Sequence, residues 1–276
     1  MGLMSIQLPT GILIAVEGID GAGKTTQARA LRDRLQAAGL DVLLTKEPTD
    51  GPWGRKLRAS AQDGRLSPAE ELEAFLEDRR EHVQLELAPA LAAGKVVIVD
   101  RYYFSSAAYQ GARGMSPEAI LAENEAFAPQ PDLLVLLDVP AAAGVARIRA
   151  RGDKENLFEH EELLQRSGEI FRAIDRPYLL VVDGLQPPEE ITNQVLARLR
   201  LGPLFDRLCP KRDELEACDP PFCRFRMAGQ CRWVKLGSLA SPVAPGPLDL
   251  ARQLAHDDSV PAEEKVRRLL EGMGAR

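Results

Sequence analysis

Cysteine is absent from the first 202 residues of this 276-residue chain, because all four cysteines follow Gly202. A disulfide framework is therefore excluded for that part of the chain. Histidine is also scarce. The three histidines, His82, His160 and His256, show no ligand spacing, and we assign them to packing or to the surface rather than to metal binding.

Long apolar runs are missing as well, and the run from Ile12 to Val16 is too short for a signal peptide or a spanning helix. The myristoylation motif needs Ser or Thr at residue 6, where this chain has Ile6. The chain has no excess of basic charge, since its net charge is −6. We therefore expect a cytoplasmic protein that binds neither nucleic acid nor membranes.

The sequence does contain a regular alternation of apolar strands and helices. Five apolar runs are typical of buried strands: Gly11 to Val16, Asp41 to Thr45, Val96 to Val99, Leu133 to Leu137 and Leu179 to Val182. Helical patterns fill the intervals, including Pro68 to Leu91 and Glu189 to Leu201, and Gly39 is a candidate C-cap. The pattern predicts an α/β fold with a parallel sheet of about five strands flanked by helices, and with ligands at the strands' carboxyl ends.

The composition changes after Gly202-Pro203, which predicts a main domain at 1–202 and a small irregular accessory extension at 203–276. The extension holds 8 of the 20 prolines and every cysteine, at Cys209, Cys218, Cys223 and Cys231. Four thiols in so short a segment of a cytoplasmic protein suggest tetrahedral zinc or an iron–sulfur cluster. The alternative is four buried, unligated cysteines, since no Cys-x2-Cys pair is present. We expect the extension to be dispensable for catalysis.

A phosphate-binding loop stands between the first strand and the first helix. The pattern Gly-x4-Gly-Lys-Thr runs from Gly18 to Thr25 and predicts ATP binding. The predicted ATP-binding residues are Gly18, Ile19, Asp20, Gly21, Ala22, Gly23, Lys24, Thr25 and Thr26. We expect Lys24 to be exposed in the loop and to contact the outer phosphates, and Thr25 to ligate Mg²⁺. A P-loop alone leaves kinases, ATPases, GTPases and motor domains open.

The third apolar strand leads directly into Asp100 and Arg101, at the edge where ligands bind. Asp100 is the predicted partner of Thr25 at the Mg²⁺ site. Arg101 could hold an acceptor phosphate through two hydrogen bonds. The alternative interpretation of this pair is a simple salt bridge at the end of the strand.

Several motifs in order make residues 13–201 resemble the thymidylate kinases. The P-loop from Val16 to Gln27 is similar to that of the family. The other matching motifs are Glu47-Pro48-Thr49, Phe75-x3-Arg79, Asp100-Arg101-Tyr102, the block from Ser105 to Gly111, and Pro131-Asp132-Leu133. The resemblance implies a P-loop kinase fold, ATP and dTMP as substrates, Mg²⁺ as cofactor and a homodimer.

The resemblance also implies roles for individual residues around the acceptor. Phe75 would stack on the thymine ring and Arg79 would hydrogen-bond its edge, with Ser106 and Gln110 near the base. Tyr109 would favour deoxyribose, Asp20 would receive the 3′-hydroxyl, and Arg101 would hold the acceptor phosphate. These roles suit an aromatic face, a carboxylate and a guanidinium. Taken alone, Phe75 fits an ordinary core residue slightly better, but its pairing with Arg79 one helical turn away favours the functional role.

A basic segment with Arg147, Arg149, Arg151 and Lys154 resembles the family's lid. Gly21 stands where some family members have a P-loop arginine, so the lid would supply the transition-state charge. The candidate catalytic residues are therefore Lys24, Arg101, Arg147 and Arg151. The segment departs from the family's Asp-Arg-x-Glu ending, because it reads Asn156-Leu157-Phe158-Glu159.

Together these features predict transfer of the γ-phosphoryl group of ATP to dTMP. One alternative is a kinase of another nucleoside monophosphate. The other is a nucleotide-sensing regulatory module that signals through residues 203–276. Arg79, Arg101 and the basic lid favour catalysis over sensing.

Overall fold

The computed structural model describes residues 6, 8–63, 66–150 and 157–208. The strands are β1 (Ile12–Glu17), β2 (Val42–Lys46), β3 (Val96–Asp100), β4 (Leu133–Asp138) and β5 (Leu179–Asp183). The helices are α1 (Lys24–Ala37), α2 (Pro52–Asp63), α3 (Pro68–His82), α4 (Ala88–Ala92), α5 (Tyr103–Gly111), α6 (Pro117–Glu125), α7 (Ala141–Ala150), α8 (Leu157–Ala173), α9 (Pro188–Leu201) and α10 (Pro203–Leu208). A π-helical turn (Val83–Leu87) joins α3 to α4.

The five strands form one parallel sheet in the order β2-β3-β1-β4-β5, which confirms the predicted α/β architecture. The central strand β1 is completely buried, as the apolar run Ile12 to Val16 predicts. Strand β3 lies on one side of β1 and strand β4 lies on the other, so the connections run in opposite directions from β1. Such a switch point opens a crevice at the carboxyl ends of the strands, where Asp100 and Glu17 lie.

The helices that carry the site begin and end at identifiable signals. Helix α1 packs Ala28, Leu31 and Leu35 on the sheet and ends just before Gly39, whose φ is 87°. Helix α3 begins at a capping box, because the Ser67 hydroxyl accepts from the Glu70 N–H and the Glu70 carboxylate accepts from the Ser67 N–H. These signals set where α1 ends and where α3 begins.

Helix α10 belongs to the same core, although it follows the predicted boundary at Gly202. Leu204 and Leu208 are buried, and Arg207 pairs with Asp132 at the start of β4. The division between residues 1–202 and 203–276 stays a prediction, since the chain from Cys209 onward lies outside the described residues. Within the described ranges, no helix is both long enough and apolar enough to span a membrane.

Candidate active site

The P-loop closes around the side chain of Lys24. Its ammonium nitrogen donates to the carbonyl oxygens of Gly18 and Ile19, at 2.8 Å each. The side chain is 6% exposed, so the expectation of an exposed lysine was wrong. The reason is that the chain turns at Gly23, where φ is 100°, and the lysine then folds back inside the loop. The amide groups at the start of α1 face the same loop, which suits an anion.

Burial perturbs two ionisable groups beside the P-loop in opposite directions. Burial lowers the pKa of Lys24 to about 7 and the nearby Arg101 charge adds to this, while Asp20, Glu17 and Asp100 oppose it. Burial raises the pKa of Glu17 to about 7, against hydrogen bonds from Ser105 and Tyr102. Desolvation therefore outweighs the local pairing at both groups.

Thr25 and Asp100, the predicted Mg²⁺ residues, are in direct contact. The Thr25 hydroxyl donates to Asp100 Oδ2 at 2.5 Å. Asp100 Oδ1 is buried, and no group among the described residues donates a hydrogen bond to it. A hydroxyl and a carboxylate are the oxygen ligands that Mg²⁺ uses alongside substrate phosphates. The donor set therefore fits Mg²⁺. The described ranges contain no cluster of three or more His, Cys, Asp or Glu residues that could hold a metal without substrate.

The seven residues predicted to bind the acceptor line one cavity of about 340 Å³: Asp20, Phe75, Arg79, Arg101, Ser106, Tyr109 and Gln110. They come from the P-loop, α3, the end of β3 and α5, which meet at the switch point. Sequence reasoning missed other residues of this wall: Glu47, Glu71, Ser105, Arg113 and Leu163. Glu71 pairs with Arg113 across the cavity, from α3 to the turn after α5.

Arg101 and Asp20 form the charged end of this acceptor cavity. The Arg101 guanidinium pairs with the Asp20 carboxylate and lies 5.6 Å from the centre of the Tyr109 ring. Burial alone would raise the pKa of Asp20, but the Arg101 and Lys24 charges outweigh it and lower the pKa to about 2. Asp20 is therefore ionised at neutral pH, and it joins the P-loop to the acceptor cavity.

Arg79 lies at the other end of the acceptor cavity and is 1% exposed. Its Nε and Nη2 contact Glu47 Oε2 at 2.8 and 2.6 Å, and Nη1 donates to Asn124 Oδ1 at 2.5 Å. Nη2 also donates to the Ser106 hydroxyl at 3.2 Å. A guanidinium has five N–H groups, so one on Nη1 remains beyond these contacts. Glu47 belongs to the Glu-Pro-Thr motif, which by itself indicates no role for it, and no sequence pattern points to Asn124.

Gln110 and Phe75 provide polar and aromatic groups between the two ends. Gln110 is 2% exposed, and its Oε1 has no hydrogen-bond partner among the described residues. Phe75 is half-buried on α3 and faces the same space. The Phe75 ring can stack on a planar heterocycle. The remaining Arg79 N–H can donate a hydrogen bond to the edge of that heterocycle, and the buried Gln110 oxygen can accept one.

Arg147, one of the predicted catalytic residues, lies on the outer side of the P-loop rather than in the acceptor cavity. It donates to the carbonyl oxygens of Gly21 at 3.2 Å, Ala22 at 3.4 Å and Gly184 at 3.0 Å. These groups line a separate cavity of about 580 Å³ that also includes Gln186. Arg151, the other predicted lid arginine, lies outside the described residues, and the catalytic assignment of both stays a prediction.

The chain matches a family model described as thymidylate kinase over residues 16–195. A protein named thymidylate kinase from Xanthomonas campestris pv. campestris (strain B100) is 53% identical over 206 residues, which are 74% of this chain and 90% of the relative. A relative of the same name from Xylella fastidiosa (strain M12) is 49% identical over 203 residues, covering 71% of this chain and 93% of the relative. The matched segment contains the P-loop and the acceptor cavity.

Proposed function

We propose that this chain, which belongs to the thymidylate kinase family, transfers the γ-phosphoryl group of ATP to dTMP and releases ADP and dTDP. One observation carries this proposal. Asp20 is a P-loop residue, yet it also lines the acceptor cavity and pairs with Arg101. The P-loop and the acceptor cavity therefore meet at one charged point, so a donor phosphate on the loop and an acceptor phosphate can approach each other there.

The reaction needs charge neutralisation more than covalent help from the protein. An oxygen of the acceptor phosphate attacks the γ-phosphorus, and the bond from that phosphorus to the bridging oxygen of ADP breaks. The acceptor oxygen is already anionic, so no general base is required. Lys24 contacts the outer donor phosphates and Arg101 holds the acceptor phosphate. Thr25 and Asp100 would hold Mg²⁺, which neutralises charge on the donor phosphates when bound.

The nucleoside of ATP is assigned to the cavity beside Arg147. That cavity opens directly from the P-loop at Gly21 and Ala22, where the phosphates of the donor must enter. Arg147 ties the loop to Gly184 and presents a planar guanidinium to this space. This position supports a role at the donor end. The transition-state arginine would then come from the lid, with Arg151 as the candidate.

The acceptor base is assigned to the space between Phe75 and Gln110. Phe75 stacks on the thymine, and the buried Gln110 Oε1 accepts a hydrogen bond from the base edge. Arg79 has one N–H left for the base because Glu47, Asn124 and Ser106 take the others. Tyr109 and Asp20 lie where the sugar would connect base and phosphate.

Steady-state kinetics with a panel of monophosphates tests this proposal. We expect kcat/KM for dTMP to exceed that for dCMP, dAMP and dGMP by at least about tenfold, because a buried hydrogen-bonding group left unpaired costs ~1 to 3 kcal/mol. If another monophosphate wins by tenfold, the chain is a kinase of that acceptor. If none is phosphorylated while ATP still binds, the nucleotide-sensing alternative replaces the kinase proposal.

Assembly, location and the cysteines are further parts of the proposal. The family resemblance supports a homodimer, and light scattering tests this assembly. It also supports a cytoplasmic location. The four cysteines, Cys209, Cys218, Cys223 and Cys231, lie outside the described residues. Zinc or an iron–sulfur cluster at these cysteines is a hypothesis that rests only on the crowding of four thiols into one short segment. Metal analysis of anaerobically purified protein tests it, and a value far below one equivalent would overturn it.

A further inference from the structure

Glu17 ends β1 immediately before the P-loop and is completely buried. Its carboxylate accepts three hydrogen bonds from one short segment of the chain. Oε1 accepts from the N–H of Tyr102 at 2.7 Å and from the N–H of Ser105 at 3.0 Å, and Oε2 accepts from the Ser105 hydroxyl at 2.6 Å. No residue role assigned so far explains this contact.

The segment that Glu17 holds is the start of α5. The residue before this helix is Tyr102, and its side chain makes no capping hydrogen bond. The first amide groups of a helix lack partners within the helix and need a cap. Glu17 supplies a cap from a neighbouring strand by accepting from the Ser105 N–H, which it shares with the Tyr102 carbonyl oxygen at 3.0 Å. It thereby fixes the position of a helix that presents Ser106, Tyr109 and Gln110 to the acceptor cavity.

Glu17 also accepts a hydrogen bond from the peptide group that follows Arg101. The φ angle of Arg101 is 70°. A residue with a Cβ disfavours this left-handed conformation, so the surrounding structure must enforce it. The N–H of Arg101 donates to the carbonyl oxygen of Val16 at 3.1 Å, and the next N–H, that of Tyr102, donates to Glu17. Val16 and Glu17, two consecutive residues of β1, therefore accept hydrogen bonds from the two peptide groups that flank Arg101. These two hydrogen bonds fix the backbone of Arg101 in the conformation from which its guanidinium pairs with Asp20.

We propose that Glu17 is a positioning residue for the acceptor: its reach across to residues 102–105 sets Arg101 and the base-facing side of α5. This inference rests on the proposed function, in which those groups bind dTMP. Oε1 has lone pairs for both N–H groups whether or not the carboxyl is protonated. The length of the side chain, rather than its charge, is therefore what the role requires.

Two variants of the full chain separate reach from charge. Glu17→Gln keeps the length and an acceptor oxygen but removes the charge, whereas Glu17→Asp keeps the charge and withdraws the carboxylate by one methylene. For Glu17→Asp we expect KM for dTMP to rise about tenfold while KM for ATP changes less than about threefold, the effect of weakening hydrogen bonds that serve only one substrate. For Glu17→Gln we expect both KM values within about threefold of wild type.

Asp132→Asn is the matched control. Asp132 accepts from the N–H of Leu13 at 2.9 Å and holds β1 at the opposite end of the sheet. This variant is expected to lower stability and leave both KM values unchanged. The inference would be overturned if Glu17→Asp raised KM for dTMP and KM for ATP equally, or changed neither. It would also be overturned if Glu17→Gln raised KM for dTMP as much as Glu17→Asp does. If wild type prefers another acceptor, the same comparison with that acceptor still tests Glu17, so the two proposals fail separately.

Discussion

At the scale of single residues, Lys24 shows how the site balances burial against charge. Its ammonium group donates to the loop's own carbonyl oxygens at Gly18 and Ile19. The donor phosphates must therefore compete with these contacts for the same N–H groups. They also supply negative charge to a buried cation, and nearby negative charge favours the protonated form of a lysine.

A coupling between nucleotide binding and protons follows from this. The pKa of Lys24 is lowered to about 7 by burial, so much of it is neutral at pH 8 before nucleotide binds. The phosphates raise the pKa, so binding must take up protons and the affinity must fall as pH rises above about 7. Glu17, with a pKa raised to about 7, shifts in the same direction, because added negative charge favours its neutral form too.

Calorimetric titration with ADP at pH 8, in two buffers with different ionisation enthalpies, measures this proton uptake. We expect net uptake at pH 8 and less at pH 6, where Lys24 already carries its proton. Release of protons at pH 8, or a binding enthalpy independent of the buffer, would contradict the assigned pKa direction. Wild-type protein is sufficient, so the result does not depend on whether a variant folds.

At the scale of elements, the P-loop and α7 approach so closely that only glycine fits on either side. A Cβ at Gly144 would lie 2.6 Å from the Asp20 carbonyl oxygen, and one at Gly21 would lie 2.3 Å from the Gly144 carbonyl oxygen. This contact brings Arg147, on the next turn of α7, to the loop carbonyls. It also explains why an arginine at position 21 would not fit here without a shift of α7.

Gly144→Ala is expected to push α7 away from the P-loop, raising KM for ATP several-fold and lowering the thermal midpoint. Gly168→Ala on α8 is the matched control, because a Cβ there meets nothing closer than 3.6 Å. Alanine in a helix interior should stabilise by roughly 0.5 to 1 kcal/mol relative to glycine. Thermal unfolding and ATP kinetics of both variants check this. Equal behaviour of the two would show that the close approach has no consequence.

The strands could be predicted from the sequence because strands buried on both faces are continuous apolar runs. The site could be predicted only in part. The family resemblance identified seven residues that line the acceptor cavity, since they lie in the motifs around Gly18, Phe75, Arg101 and Tyr109. It could not identify the contacts of Glu17, or Glu47 and Asn124 as partners of Arg79, because those contacts join residues 32 to 88 positions apart. The π-helical turn also escaped prediction, since its apolar spacing continues that of α3.

At the scale of the whole molecule, the sheet order brings the P-loop and the acceptor cavity to one edge. The P-loop follows β1, Asp100 and Arg101 follow β3, and Asp138 ends β4. Arg172 of α8 contacts Asp138 at 3.0 Å, so the helix after the lid also reaches that edge. The P-loop, Asp100, Arg101 and Arg172 all lie within the segment that matches the family model, residues 16–195.

The last prediction concerns where this catalytic unit ends. The aligned 206 residues already cover 90% of the Xanthomonas campestris relative. The unaligned tenth of that relative is shorter than the segment 203–276 of this chain. Helix α10 nevertheless buries Leu204 and Leu208 in the core. A chain ending at Leu208 should keep wild-type kcat and KM. A chain ending at Gly202 should lose about 3 to 6 kcal/mol of unfolding free energy, the contribution of two buried leucines.

Urea denaturation and steady-state kinetics of the two shortened chains, beside the full chain, measure both effects. Leu204→Ala in the full chain isolates the packing contribution and should cost ~2 to 5 kcal/mol. If the chain ending at Leu208 loses activity while remaining folded, residues 209–276 take part in catalysis or its regulation, and the accessory role fails. If the chain ending at Gly202 is as stable as the longer one, α10 contributes nothing and the boundary lies at Gly202, where the composition of the sequence changes.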